Sequence, residues 1–519
     1  MKTRSQLSAV TTVWVLLFVL SNILSTGCIS IEWSSLYPRF EWPGKKVALN
    51  VDEESEMLDK VEEGAGPLFR RGYEHYMREE YKAACQVLHA YMDEHTPNDT
   101  DYEWAEFFFG IGLKKRGYSH AAVDTLTDLV TRKPNPQIVS YSLELLEQIS
   151  RSGPFDRDLL VDRGLADQSY DFVEGEIADF VHYYQGEYDW EHGLFQWGDE
   201  HFSKIQPGTF YHRKYIFKKA LRTLYVDDAD EAIDLLKKVI LETPNGEPLK
   251  DDARKTLARL YYEKGKYSEA DFLYQQIEMN IVEQAQNLLE RAWTHYQMGN
   301  QERAMGLLYS FEAPSYRTSF TPEFFILKSF IYKDVCHYRS AMRVLDQFKD
   351  RYGEALDNIY RRRPPQDNSA MLLVILNKSK VNRLWRFLNL LEREQALCNE
   401  MEDEGLKTYL DELYNLKRDE VEMKFRILIN DEYEKMADSM LRFEEEAHLM
   451  EYEIGLDMYQ RVQSYHYSED QSEQDNGDSR KGKAIYTFQG EFWNDELDDY
   501  EVNLVNKCEG AEEWDIFFK

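Results

Sequence analysis

The sequence predicts an all-α fold: a solenoid of helical hairpins, followed by long C-terminal helices and a short irregular or β-like tail. Three observations predict it. Pairs of amphipathic segments recur at a spacing of roughly 34 residues between about 66 and 356. The stretch 366–465 has few glycines, no proline, and abundant Glu, Leu, Lys, Met and Arg, the composition of long helices. Of the 519 residues 43% are apolar and 14% aromatic, enough for an extended core. The formal charge of −33, from 95 acidic against 62 basic residues, argues against nucleic acid or anionic lipid headgroups as main partners, since both repel an acidic surface.

The chain opens with Lys2 and Arg4, an apolar run from Val13 to Leu20, and the small residues Ser25, Thr26 and Gly27 before Cys28, the tripartite form of an export signal. The run is short for a bilayer span, and no second long apolar stretch follows. Gly27-Cys28 resembles a bacterial lipoprotein cleavage site, although Ser25 stands where an aliphatic residue is usual and Leu24 lies one place further off. The resemblance implies a signal peptide over 1–27, a diacylglycerol on the Cys28 thiol and a membrane held through that lipid. An ordinary cleaved signal or an uncleaved anchor are the alternatives. Ile29 replaces the Asp that commonly keeps such lipoproteins at the inner membrane, which implies the outer membrane, facing the periplasm. Residues 28–65, with Trp33, Tyr37, Trp42 and Pro43 among polar residues, read as a tether or cap.

Residues 251–277, DDARKTLARLYYEKGKYSEADFLYQQI, give the clearest repeat unit. Leu257, Ala258 and Tyr261 share one face of a first helix, Gly265 and Tyr267 make the turn, and Ala270, Tyr274 and Ile277 face back from a second. The small Ala258 and Ala270 let the helices approach closely, Gly265 ends the first, and the aromatics fill the wedge between hairpins. This order resembles the tetratricopeptide repeat, and the resemblance implies a right-handed superhelical solenoid that serves as a protein-binding scaffold. Ala84, Ala122, Ala232, Ala304 and Ala341 occupy the place of Ala270. The spacings from Ala232 to Ala270, Ala304 and Ala341 are 38, 34 and 37 residues, and Ala84 to Ala122 is again 38. Pro134 and Pro244 stand where units of this family end. Between about 137 and 210 two degenerate units are expected, one with a turn at Gly186 and Tyr188 and with Glu191 where the alanine belongs.

Beyond 366, Phe425, Ile429, Tyr433, Met436, Met440, Phe443, Ala447, Met450 and Ile454 step by three and four. Such a stripe packs back on its own chain or forms a homo-oligomer through 425–458. Residues 466–483 are a polar linker, and 484–519 a tail whose start alternates like a strand. In an oxidising compartment Cys398 would pair with Cys508, tying this tail to the helix before it, or the thiols remain separate and buried. The stretch GEFWNDEL and Cys508 resemble the tails of tetratricopeptide lipoproteins of predatory and gliding delta-proteobacteria, which implies envelope assembly or a motility complex.

Signatures of catalysis fail on context. GDSRKGK at 477–483 has the spacing of a phosphate-binding loop, but Ala484 replaces the magnesium-binding hydroxyl and no apolar strand precedes it. One ExxH, Glu445 and His448, lacks the second copy a di-iron site needs. HExxH, GxSxG and CxxC do not occur. The sequence is therefore read as non-catalytic, with no cofactor or metal. Its expected binding surface is the concave face of the first helices, carrying Phe69, Tyr73, Tyr76, Trp104, Phe107, Phe217, Arg259, Tyr262, Trp293, Tyr296 and Phe330. Lys114, Lys115 and Arg259 are placed to meet an acidic peptide or a C-terminal carboxylate. The rival readings are an envelope enzyme acting on cell-wall peptide or glycan, which should show perturbed carboxylates or His in a cleft, and a structural oligomer.

Overall fold

A computed structural model describes residues 66–99, 101–133, 135–225, 228–277, 281–316, 319–465 and 500–508. The signal, Cys28, the tether, Pro134, the polar linker and the strand-like start of the tail lie outside the described residues. The chain divides into two compact units, Met1–Tyr102 and Glu103–Lys519.

In the first unit α1 (Pro67–Met77) and α2 (Tyr81–Glu94) form a hairpin. Pro67 opens α1, where its missing N–H costs nothing. Phe69, Ala84, Cys85, Leu88 and Tyr91 are buried between the two helices. Gly72 is where they come closest: a Cβ there would lie 2.8 Å from Leu88.

The second unit stacks six further hairpins. They are α3 (Tyr102–Lys115) with α4 (Ser119–Arg132), α6 (Gly175–Glu191) with α7 (Phe195–Ser203), and α8 (Phe210–Tyr225) with α9 (Ala229–Glu242). Then come α10 (Pro248–Glu263) with α11 (Tyr267–Gln275), α12 (Ile281–Gln297) with α13 (Gln301–Tyr309), and α14 (Pro322–Asp334) with α15 (Tyr338–Tyr360). One rule of spacing is seen in five of them. A small residue in the first helix is followed seven places on by a left-handed residue and twelve places on by a second small residue. Gly110, Gly117 and Ala122 obey it, as do Gly186, Gly193 and Gly198, and Ala258, Gly265 and Ala270. Ala292, Gly299 and Ala304 continue the series, and Ser329, Cys336 and Ala341 end it. The left-handed residue turns the chain back at the end of the first helix, and the small pair lets the helices touch. The residue four beyond the second small position then packs into the gap: Leu126 against Gly110 and the Phe202 ring against Gly186, each 2.9 Å from where a Cβ would be.

This rule corrects the expected register near 186. Gly186 is the small residue inside α6, not a turn; Gly193 makes the turn, and Gly198 rather than Glu191 takes the alanine place. Two glycines seven apart fit either assignment in the sequence; the left-handed backbone of Gly193 and the Phe202 ring against Gly186 decide between them. Nor are there two degenerate units here. A single helix, α5 (Pro136–Ser152), precedes α6, and a π-helical segment, Leu159–Leu165, packs on α4 and α6 where a partner helix would stand.

After α15, α16 (Ser369–Asn377) and α17 (Ser379–Cys398) lead into α18 (Glu404–Tyr465), a helix of 62 residues and so about 93 Å long. It pairs with α17, then runs on across α16, α15 and α14. Tyr433, Met440, Ala447, Met450 and Ile454 are buried there, with Phe425, Ile429, Met436 and Phe443 packed beside them. The heptad stripe is thus covered by its own chain. A homo-oligomer through 425–458 would have only the opposite face, where Leu449, Tyr452, Leu456 and Tyr459 are exposed. Polar contacts fix the long helix along its course: Lys417 to Asp156 at 2.5 Å, Lys424 to Asp158 at 2.8 Å, Lys378 to Glu432 at 2.7 Å, Lys349 to Glu451 at 2.5 Å, and Lys333 to Glu453.

The described part of the tail, 500–508, contains no strand. It corrects the expected disulfide: Cys508 bonds Cys336, not Cys398. Cys398 is buried at the end of α17, where its thiol donates to the Glu394 carbonyl at 3.6 Å and burial pushes its pKa up to about 11. The tail instead passes the turn between α14 and α15, beside Cys336. No described helix is long and apolar enough to cross a membrane, and no described group of three His, Cys, Asp or Glu could hold a metal.

Candidate functional site

The hairpin rule also sorts the first-helix side chains. Three places before the small residue Phe69, Phe107, Tyr183, Leu289 and Ile326 enter the core; one, four and five places after it the side chains share a face. Phe69 and Phe107 stand at the earlier position and are 0% and 2% exposed, so they are core residues and not part of a binding surface. Trp104 is half-buried and meets Phe107 edge-on at 6.1 Å and Phe108 at 5.9 Å. Phe217 packs on the core of α8 to α11. In the first unit Tyr73 and Tyr76 are half-buried and stack at 6.5 Å.

The later positions line up from α10 to α14. Arg259 bonds Glu290 of α12 at 2.6 and 3.1 Å, and the Gln297 amide of α12 donates to the Tyr262 hydroxyl. Trp293 meets Tyr296 at 5.8 Å and Phe330 of α14 at 6.4 Å, while the Tyr296 hydroxyl donates to Asp334 at 2.7 Å. Each contact crosses from one first helix to the next or fixes a ring that does. These side chains therefore form one continuous face, joined by a built hairpin rule. Residues 224–291 match the tetratricopeptide-repeat family model. A tetratricopeptide repeat protein from Parabacteroides merdae ATCC 43184, of known crystal structure, is similar at 15% identity over 55% of this chain and 91% of that one, with a TM-score of 0.23. Among curated proteins none matches.

This face reaches further than the predicted residues. Leu221 and Tyr225, one and five places after Ala220, are 41% and 93% exposed on α8. Their signal was in the sequence, at the offsets that place Arg259 and Glu263 after Ala258. At both ends the face is met by the chain's own C-terminal helices. On α14 Lys333, four places after Ser329, pairs with Glu453 of α18. On α3 Lys114, four places after Gly110, is drawn to Glu394 of α17.

Two of the three cations proposed for a partner carboxylate are already matched within the chain. Lys114 is drawn to Glu394 of α17, donates to Ser119 at 3.1 Å, and has its pKa lowered by burial. Arg259 has Glu290, which holds its proton more firmly. Lys115 is exposed. A distant cation does not reveal its partner in sequence when, as for Lys114, the partner lies on a helix far along the chain.

Charged groups also gather in two places that were not predicted. On α6 and α8 Glu187 lies between Arg157, at 2.8 Å, and Lys218, while Lys214 sits over the Tyr183 ring at 4.5 Å. Burial lowers the Lys214 amine to about 8. On α3 and α4 burial raises Glu106 to about 7 and Asp124 to about 6, and raises Glu103 and Asp128 as well. Perturbed carboxylates were the mark set for an enzyme. Here, however, Glu106 binds Arg132, and Asp124 and Asp128 bind Arg163 at 3.2 and 2.7 Å. That is the pattern of a structural ion-pair network, in which the guanidinium occupies the carboxylate oxygens a substrate would need.

Proposed function

We propose that this protein is a non-catalytic scaffold of the bacterial cell envelope that captures a segment of a partner protein on its tetratricopeptide face. The observation that carries this reading is the line of Leu221, Tyr225, Arg259, Tyr262, Trp293 and Tyr296 on α8, α10 and α12, between the two places where α18 meets the stack. Large aromatic side chains bury much area for little lost entropy and keep a polar tip for hydrogen bonding, which is why they anchor interfaces. Tetratricopeptide repeats generally mediate protein–protein contact, in keeping with this face. Because Glu290 already neutralises Arg259, the segment is held by apolar and aromatic anchors more than by a carboxylate.

Export, with lipid on Cys28 and residence at the outer membrane facing the periplasm, completes the reading. The signal-like residues from Lys2 to Gly27 and the Cys336–Cys508 disulfide support it, since disulfides persist where the surroundings are oxidising. Envelope assembly or a motility complex is the process proposed.

Replacing two anchors, Trp293→Ala with Tyr296→Ala, is expected to weaken partner recovery from solubilised envelopes at least about tenfold, from roughly 2 kcal/mol for each hot-spot side chain. Helical content by circular dichroism stays that of the parent. Equal recovery by a folded double variant would refute the face as the capture site. Fatty-acid labelling that persists in Cys28→Ala would refute the lipid attachment independently.

A further inference from the structure

Residues 500–508, YEVNLVNKC, lie along α13 and the turn between α14 and α15, and the protein is shaped to receive them. The Val502 amide donates to the Glu302 carbonyl at 3.0 Å, and the Arg303 guanidinium donates to the Tyr500 carbonyl at 3.2 Å. Further on, the Lys507 amide donates to the Val335 carbonyl at 3.0 Å, and the His337 ring Nε2–H donates to the Val505 carbonyl at 2.7 Å. Val335 caps α14, so this carbonyl is one that its own helix leaves without a partner. The Tyr500 ring meets Tyr309 edge-on at 6.5 Å. Gly306, inside α13, lies directly beneath the Tyr500 carbonyl, and any Cβ at 306 would collide with that backbone. A glycine within a helix is unfavourable by itself. At 306 it is what allows another backbone to approach. The segment is gripped by its backbone groups, and the chain ends this contact with the Cys336–Cys508 bond.

We propose that α13 and the α14–α15 turn form a docking site for an extended peptide, that residues 500–508 are its resident occupant, and that thiol–disulfide exchange at Cys336–Cys508 decides whether the occupant stays. The surroundings of the two sulfurs differ. The Arg461 guanidinium of α18 lies 2.6 Å from Cys336 Sγ, and the Tyr338 hydroxyl 3.4 Å from it. Both favour a thiolate on Cys336, and a stabilised thiolate is the better leaving group. A dithiol reductant of the thioredoxin class therefore attacks Cys508 Sγ through one thiolate. The bond between Cys336 and Cys508 breaks, and Cys336 leaves as a thiolate beside Arg461. The reductant's second thiol then attacks the mixed disulfide and releases Cys508. The reductant ends as a disulfide; the two cysteines have taken up its two electrons, one of its protons stays on Cys508, and the other passes to solvent while Cys336 remains a thiolate. Without the covalent bond only the noncovalent contacts remain, the backbone hydrogen bonds and the packing of Tyr500, Val502 and Leu504, and the segment exchanges with solvent.

Hydrogen exchange followed by mass spectrometry on the full chain tests this directly. Reduction, with both free thiols verified by alkylation, is expected to speed exchange of the Val502 and Lys507 amides by about tenfold or more while α13 and α14 keep their protection. Unchanged exchange in fully reduced protein overturns redox control. Gly306→Ala, which suits a helix better than glycine, is expected to unseat residues 500–503 even in oxidised protein; retained protection at Val502 overturns the seat. Finally, the Cys508→Ser chain in a glutathione buffer is expected to form a mixed disulfide at Cys336 faster with the peptide YEVNLVNKC than with a scrambled peptide of the same composition. Equal rates would mean that the thiol alone directs pairing, and would overturn the docking site.

Discussion

Glu394→Ala is expected to cost about 3 kcal/mol of stability in the unit of residues 103–519 and to loosen α17 and α18 from α4. Glu394 is 2% exposed, and its two oxygens accept from the Ser119 amide at 2.8 Å, the His120 amide at 2.9 Å and the Tyr414 hydroxyl at 2.7 Å. The two amides belong to the first turn of α4, where a helix has no internal acceptor and carries partial positive charge. A carboxylate from another helix thus completes α4, and the same carboxylate orients Tyr414 of α18. Burial raises its pKa, opposed by these hydrogen bonds and by Lys114. Hydrogen bonds to charged groups contribute about 1.5–3 kcal/mol each and are not additive when they share an acceptor. Alanine would leave two amides and a hydroxyl buried without their acceptor, whereas Glu394→Gln keeps one acceptor oxygen and is expected to cost less. Urea unfolding measures both; a loss below about 1 kcal/mol for alanine would show that water or a neighbour replaces the carboxylate.

Stability is also expected to decline from pH 5 to pH 8 through Glu106, and Glu106→Gln to remove much of that decline. Glu106 is buried, and its carboxyl titrates at about 7 in the folded chain against an ordinary 4.5, because desolvation outweighs the pull of Arg132. A carboxyl whose folded pKa is raised contributes most below its unfolded value, and that contribution is lost as pH rises through about 7. The shift corresponds to about 3 kcal/mol. Asp124, raised to about 6, acts in the same direction. Asp271 acts in the other: Arg291 at 2.9 Å and His295 hold it at about 2 despite its burial, so its contribution is lost only as pH falls below the ordinary carboxylate range. Unfolding midpoints of the parent and of Glu106→Gln at pH 5 and pH 8 give the difference. Parallel pH profiles would mean that Arg132 keeps Glu106 ionised throughout.

The hairpins were legible because their rule is local. Seven residues from a small side chain to a left-handed one, and five more to the next small one, can be read along the chain with no knowledge of its neighbours. Gly186 shows the limit of that reading, since two glycines seven apart satisfy two registers, and the left-handed Gly193 and the ring of Phe202 select one. The shared face was legible in part. Tyr262, Trp293 and Tyr296 stand on the shared face, while Phe69 and Phe107 differ from them by a few positions of register and lie in the core. What the sequence concealed depends on contacts between distant segments. Glu394 meets Ser119 across 275 residues, and Cys508 meets Cys336 across 172. No periodicity encodes such pairs, so Lys114 looked free and Cys398 looked available.

The long helix α18 changes how this chain must fold. In an ordinary stack of repeats each unit touches only its neighbours, so a nascent chain assembles unit by unit and frays from its ends. Here α4, α14, α15 and α16 all find part of their packing on a helix that is synthesised after every one of them. The hairpin of α3 and α4 accordingly emerges with apolar surface that stays uncovered until the start of α18, with Tyr409 and Tyr414, has been made, a late closure of high contact order. Once closed, the ends are tied to the middle, and melting of the second unit becomes one cooperative event in place of a sequence of small ones.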